Sequence, residues 1–145
     1  MRIVIQRVKS GAVTVEGRVI GAINHGYVVL LGIKKGDTYS DIRALVNKLL
    51  SLRLFSDDKG RFDRSIIEVE GGVLVVSQFT LYGDCKKGRR PSFDTAAPSE
   101  DAKRLYDQFL IHLKDSYPNV ASGIFGASMD VALVNDGPVT FILDS

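Results

Sequence analysis

Seven consecutive residues, Tyr27-Val28-Val29-Leu30-Leu31-Gly32-Ile33, are apolar on both alternating faces. A strand with one wet face alternates apolar and polar residues, so a run without alternation belongs in a sheet covered from both sides. The rest of the chain must supply those covers. With 145 residues, 45% of them hydrophobic, there is material for one such core and too little for two ordinary domains. Residues 1–145 are expected to form a single domain.

Residues 2–8 are rich in Ile and Val, and residues 12–23 carry β-branched side chains on both sides of Glu16-Gly17, a hairpin signal. After Gly36-Asp37, the apolar positions Ile42, Leu45, Val46, Leu49 and Leu52 recur at helical spacing, with Asp37 or Ser40 placed to cap the start. Leu52-Arg53-Leu54-Phe55 reads as a short strand, followed by a polar loop and then strands on each side of Glu70-Gly71-Gly72. The second of these, Val73-Leu74-Val75-Val76, runs straight into the polar stretch Ser77-Gln78-Phe79-Thr80. Residues 83–97 read as a long ordered loop of the functional kind. A second helix is expected from near Pro98, with Leu105, Phe109, Leu110 and Leu113 as its buried stripe and Pro118 as its stop. Strand-like stretches follow at 120–125, 129–134 and 139–143, and by pattern alone Asn135-Asp136-Gly137-Pro138 is a hairpin turn between the last two.

Most familiar catalytic constellations are excluded by arithmetic. The chain has two histidines, His25 and His112, one cysteine, and no glycine-rich phosphate loop. Cys85 rules out an internal disulfide framework, and no Cys/His spacing suits a structural zinc ion. Nineteen basic against seventeen acidic side chains give a net charge of +2, so a polyanion site must come from local clustering. Lys86, Lys87, Arg89 and Arg90 provide such a cluster in a glycine- and proline-bearing loop, suited to phosphate contacts. No apolar run approaches the roughly 20 residues that span a bilayer, and the start of the chain lacks a signal-peptide layout. A soluble cytoplasmic protein is expected.

Ser77, Thr80 and Thr140 carry hydroxyls, but none has a base nearby in the sequence to activate it. A strand end can instead present backbone N–H groups to a developing oxyanion.

The chain resembles the D-aminoacyl-tRNA deacylase family over nearly its whole length. The resemblance is carried by Met1-Arg2 with Ile5-Gln6-Arg7-Val8, by Val76-Ser77-Gln78-Phe79-Thr80-Leu81, by Arg90-Pro91-Ser92-Phe93 and by Leu105-Tyr106. It continues through Gly123-Ile124-Phe125-Gly126-Ala127-Ser128-Met129 and Asn135-Asp136-Gly137-Pro138-Val139-Thr140. Arg61-Phe62-Asp63 departs from the Lys-Met-Asn-like stretch expected there.

The resemblance implies an α+β fold of mixed, mostly antiparallel sheets packed with two main helices, a homodimer, and hydrolysis of the ester joining a D-amino acid to tRNA. It implies no metal or organic cofactor and D-aminoacyl-tRNA as the partner; glycyl-tRNA, which has no side chain to reject, is expected as a further substrate, and no membrane or DNA partner is expected. It assigns Ser77, Gln78, Phe79 and Thr80 to the catalytic segment and Phe125 and Met129 to the terminal adenosine. Gly137 and Pro138, joined by a cis bond, are to enter the partner's active site and reject L substrates, with Arg7 in support. With no histidine beside the Ser77 and Thr80 hydroxyls, hydrolysis assisted by backbone amides and by the tRNA 2′-hydroxyl is the mechanism expected. A Thr80 nucleophile and a non-catalytic RNA-binding module are the competing readings.

Overall fold

The computed structural model describes residues 1–145. Strand β1 (Arg2–Val15) is the spine of the sheet. Its first half pairs antiparallel with β3 (Gly26–Gly32), its second half with β2 (Arg18–Ile23), and β8 (Asp130–Asp144) runs antiparallel along nearly all of it. The turn between β1 and β2 places Glu16 at φ 50° and Gly17 at φ 75°, the pair of positive angles that a two-residue hairpin requires. Beyond β3, β6 (Gly72–Ser77) and β7 (Val120–Ser122) add in parallel, so the carboxyl ends of β3, β6 and β7 point the same way. A two-stranded ribbon, β4 (Arg53–Ser56) with β5 (Phe62–Ser65), completes the strands.

The apolar run at 27–33 does what its pattern requires. Tyr27, Val29 and Leu31 enter the larger core, together with Val73 and Val75 of β6 and the buried faces of α1 (Tyr39–Ser51) and α2 (Ser99–Ser116). Val28, Leu74 and Val76 point to the other face and form a smaller core with Val8, Val13 and Ile23. No helix covers that second face; the sheet curls over it and is nearly closed. Gly21 of β2 lies against β7 so tightly that a Cβ there would come within 2.8 Å of the Ser122 carbonyl oxygen. No helix is long and apolar enough to cross a membrane.

Four local expectations need correction. Helix α1 is capped neither by Asp37 nor by Ser40: Thr38 is the N-cap, and the Asp41 carboxylate accepts from the Thr38 N–H (2.7 Å) and hydroxyl (2.9 Å). Asp37 is taken by stronger donors, the Met1 ammonium at 2.6 Å and the Lys34 N–H at 2.8 Å. The strand expected just before Glu70 is a run of turns, because Ser65 and Glu68 exchange side-chain to backbone hydrogen bonds there; the strand lies earlier, at Phe62–Ser65. Leu52, expected within the first helix, lies past its last residue as the C-cap, and Leu50 is buried instead.

The fourth concerns Asn135-Asp136-Gly137-Pro138, which is not a hairpin turn. Both flanking segments belong to β8 and pair with the same strand, Thr140 opposite Gln6 and Asn135 opposite Val8. Residues 136–139 therefore bulge out opposite Arg7 alone. The bulge is tied at its base by Val139 N–H to Asn135 Oδ1 (2.9 Å) and by Asn135 Nδ2 to Thr140 Oγ1 (2.9 Å). The Gly137-Pro138 peptide within it is cis.

The α1 cap yields a stability test. The Ser145 hydroxyl and then the Thr38 amide hold the Asp41 carboxyl down at about 2, from its ordinary 3.8. A depressed carboxyl stabilises the fold above its unfolded pKa and loses that contribution as pH falls through its folded one. Asp41→Ala is expected to lower stability at neutral pH by about 1 kcal/mol. Denaturant titrations should show its gap from wild type closing as pH falls from 3.8 towards 2. A gap that persists unchanged there contradicts the assignment.

Candidate active site

A cavity of about 690 Å³ opens where β3, β6 and β7 end, and twelve of its eighteen lining residues are hydrophobic. Its size is that of a small-molecule site. One bank is the chain leaving β3, with Leu31, Ile33 and Lys35; the floor is Val76 to Phe79; the other bank follows β7, with Phe125, Gly126, Ala127 and Met129. Ala96 to Ser99 and Ala102 form the wall where the 83–97 loop enters α2.

Ser77 stays in register with Leu31, and the Gln78 N–H donates to the Leu31 carbonyl oxygen at 2.8 Å, fixing the point where the strand turns. A 3-10 turn, Phe79–Tyr82, then follows. Its first intraturn bond runs from Leu81 N–H to the Gln78 carbonyl oxygen, leaving the N–H groups of Phe79 and Thr80 without an acceptor in the turn. Two unengaged donors thus lie where the strand ends, that of Phe79 in the cavity lining and that of Thr80 next along the chain.

Side-chain chemistry is sparse. Lys35 is the one ionisable residue in the lining, which holds no carboxylate, histidine or cysteine. Thr80 is exposed and outside the lining, and its hydroxyl accepts from the Gln78 amide. Nothing adjacent can remove its proton. Phe79 is 58% exposed and packs at 4.9 Å against Phe93, a lining residue. Across the cavity Phe125 leans on Tyr106 at 5.6 Å, and the Tyr106 hydroxyl, pushed up to about 12 by burial, donates to the Val75 carbonyl oxygen at 3.1 Å. Tyr106 is thus a neutral prop for Phe125.

The structure gathers Ser77, Gln78, Phe79, Phe125 and Met129 into this cavity and leaves the other expected site residues outside its lining. Gly137 and Pro138 are exposed. Arg7, which is buried, is held by the Leu54 carbonyl oxygen (2.6 Å) and contacts Asp136 through that residue's carbonyl oxygen (3.3 Å) and carboxylate (3.2 Å). A second cavity of about 260 Å³ contains Arg7, Asp136 and His25, and His112 faces Tyr39 at 3.3 Å. Lys86, Lys87, Arg89 and Arg90 are exposed on the loop tip and make no ion pair. Sequence reasoning missed Lys35, Ala96 to Ser99, Ala102 and Val131 as lining residues. Alanines and a turn lysine carry no sequence signal of a site.

With this geometry in hand, comparison with known proteins is informative. Residues 4–144 match a family described as D-Tyr-tRNA(Tyr) deacylase. The D-aminoacyl-tRNA deacylase of Aquifex aeolicus is 55% identical over all of this chain and 98% of its own length. That of Geobacter sulfurreducens is 56% identical over all of this chain and 95% of its own. A solved structure titled c-Myc DNA Unwinding Element Binding Protein is 42% identical, covers 100% of this chain and 99% of that one, and superposes with a TM-score of 0.94. A probable eukaryotic D-amino acid tRNA deacylase, 20% identical over 99% of this chain and 98% of that one, shares the fold with a TM-score of 0.87.

Proposed function

This chain belongs to the D-Tyr-tRNA(Tyr) deacylase family, a family of hydrolases acting on the aminoacyl-tRNA ester bond, and on that footing we propose the details of its reaction. It cleaves the ester between a D-amino acid and the 3′ end of tRNA, releasing both, and leaves L-aminoacyl-tRNA intact. Its place is the cytoplasm, where charged tRNA is made.

The observation that carries the mechanism is the pair of unengaged amides at Phe79 and Thr80, where the strand ends beside a cavity with no base. An aminoacyl ester is already activated. Holding it against water, with two N–H donors for the carbonyl oxygen as it becomes an oxyanion, lowers the barrier without a side-chain nucleophile. The 2′-hydroxyl of the terminal adenosine assists the attack, and Phe125 and Met129 receive its base. A Thr80 nucleophile is disfavoured because its hydroxyl is outside the lining and already accepts from Gln78.

The working unit is a homodimer in which Gly137-Pro138 of one subunit enters the cavity of the other. Two features support this: the Gly137-Pro138 bulge is outside its own chain's cavity lining, and it is flanked on β8 by exposed Val131, Val134, Phe141 and Ile142. Arg7 steadies the bulge through Asp136. A backbone wedge selects D esters by clashing with an L side chain. Glycine has no side chain to reject, so glycyl-tRNA is expected to be cleaved as well. Complete resistance of glycyl-tRNA alongside active D-tyrosyl-tRNA turnover contradicts a steric filter.

The unpaired cations at Lys86, Lys87, Arg89 and Arg90 contact tRNA phosphates. They also support the second reading, nucleic-acid binding without turnover. Purified protein in excess over D-tyrosyl-tRNA discriminates: release of D-tyrosine is expected, and salt-sensitive binding with no release establishes the binder instead.

A further inference from the structure

We infer that Lys35 forms a subsite for the terminal phosphodiester of the substrate's 3′ nucleotide and so fixes which way the aminoacyl end points. The inference deepens the deacylase reading and rests on it.

Three observations converge on Lys35. It is the one charged side chain in the cavity lining, and no carboxylate pairs with it. An uncompensated ammonium at the rim of an apolar cavity favours an anionic ligand group. Its base is also fixed. The Lys35 N–H donates to the Thr95 carbonyl oxygen at 3.0 Å, and the Ala97 N–H donates to the Ile33 carbonyl oxygen at 3.0 Å, so the segment after β3 is stitched to the returning limb of the 83–97 loop. That loop carries Lys86, Lys87, Arg89 and Arg90 at its tip. Lys35 thus sits at the foot of the loop whose tip is cationic, with Asp84 and Asp94 on the limbs between the two.

The substrate's charges then determine its orientation. An aminoacylated 3′ nucleotide has a cationic α-ammonium at one end and an anionic 5′-phosphodiester at the other, with the ester between. Lys35 attracts the second and repels the first. Because β3, β6 and β7 are parallel neighbours, their ends set Lys35, Ser77 to Phe79, and Phe125 with Met129 side by side. With the phosphate at Lys35 and the base at Phe125, the ester is left over the amides of Phe79 and Thr80. Lys35 is a positioning residue; it touches no reacting atom.

The test compares three substrates, each with wild type, Lys35→Ala and Lys35→Arg: D-tyrosyl-tRNA, 3′-O-D-tyrosyl-adenosine 5′-monophosphate and 3′-O-D-tyrosyl-adenosine without phosphate. Lys35→Ala is expected to raise KM about tenfold for the two phosphate-bearing substrates, with kcat little changed, and to leave the phosphate-free ester unaffected. Lys35→Arg should restore most of the loss, and in Lys35→Ala the salt dependence of tRNA affinity should weaken by about 0.7 in logarithmic slope. An equal loss with and without the phosphate, or no loss with any substrate, overturns the subsite. If wild type cleaves none of the three, the deacylase reading fails instead. The subsite is then judged by calorimetry of adenosine 5′-monophosphate against adenosine: a phosphate-dependent gain lost in Lys35→Ala supports it, and no such gain overturns it.

Discussion

Replacing Gly137 with alanine is expected to collapse the preference for D over L esters by about 100-fold, while the fold remains intact. Gly137 sits at φ 125°, where an L side chain is strained by roughly 1–3 kcal/mol. A Cβ there would also lie 2.8 Å from Val139 Cγ2 and 3.1 Å from an Arg7 guanidinium nitrogen. Val139 is tied to Asn135 and Arg7 to Leu54 and Asp136, so neither neighbour can retreat freely and the bulge itself must move. The core is spared because the bulge projects from β8. A displacement of about 1 Å at a group that positions substrate is worth about 100-fold. Single-turnover rates with D- and L-tyrosyl-tRNA, beside far-UV circular dichroism, measure both sides of this. Subunit mixing separates arrangement in trans from arrangement in cis. A Gly137→Ala subunit paired with one whose cavity is filled by Ala127→Trp should recover D-selective turnover, since the intact cavity then meets an intact bulge. No recovery means that the bulge serves its own chain.

The second large effect concerns an amide. Exchanging the Thr80 backbone N–H for an ester oxygen by semisynthesis is expected to lower single-turnover deacylation by about 100- to 1,000-fold, the usual cost of one oxyanion donor. Thr80→Ala keeps that N–H and is expected to stay within about threefold of wild type, a change of less than about 0.7 kcal/mol in the barrier. The contrast is diagnostic because the two variants alter the same residue in complementary ways. A Thr80→Ala variant that folds normally yet loses several orders of magnitude makes the hydroxyl the nucleophile and refutes backbone assistance.

How much of this was legible in the sequence differs from one element to the next. The run at 27–33 has no wet face, and that alone dictated a sheet buried on both sides, as found. The stripes of both helices were legible in the main, through Ile42, Leu45, Val46 and Leu49 and through Leu105, Phe109 and Leu113, but Leu50 and Tyr106 are buried where the spacing had pointed to Leu52 and Leu110. Caps were not, since Asp37, Thr38 and Ser40 are all competent, and what removed Asp37 is an ammonium 36 positions away in the chain. Asn135-Asp136-Gly137-Pro138 has the composition of a tight turn whether the flanking strands pair with each other or with a third strand. Only the register on β1 decides that it is a bulge. The floor of the cavity was visible as a polar stretch ending a buried strand, but its amides depend on a 3-10 turn that the sequence did not announce. Lys35 was invisible for a similar reason: a lysine before Gly36 looks like any turn residue until Thr95 and Ala97 bring the far loop against it.

The central claim is that a cavity floored by backbone amides hydrolyses D-aminoacyl esters of tRNA and spares their mirror images. The most direct test is single-turnover deacylation of D-tyrosyl-tRNA and L-tyrosyl-tRNA, prepared on the same tRNA, by wild-type protein in excess. The D ester should disappear at a rate far above spontaneous hydrolysis while the L ester decays at the spontaneous rate. Equal hydrolysis of both, or of neither, contradicts it.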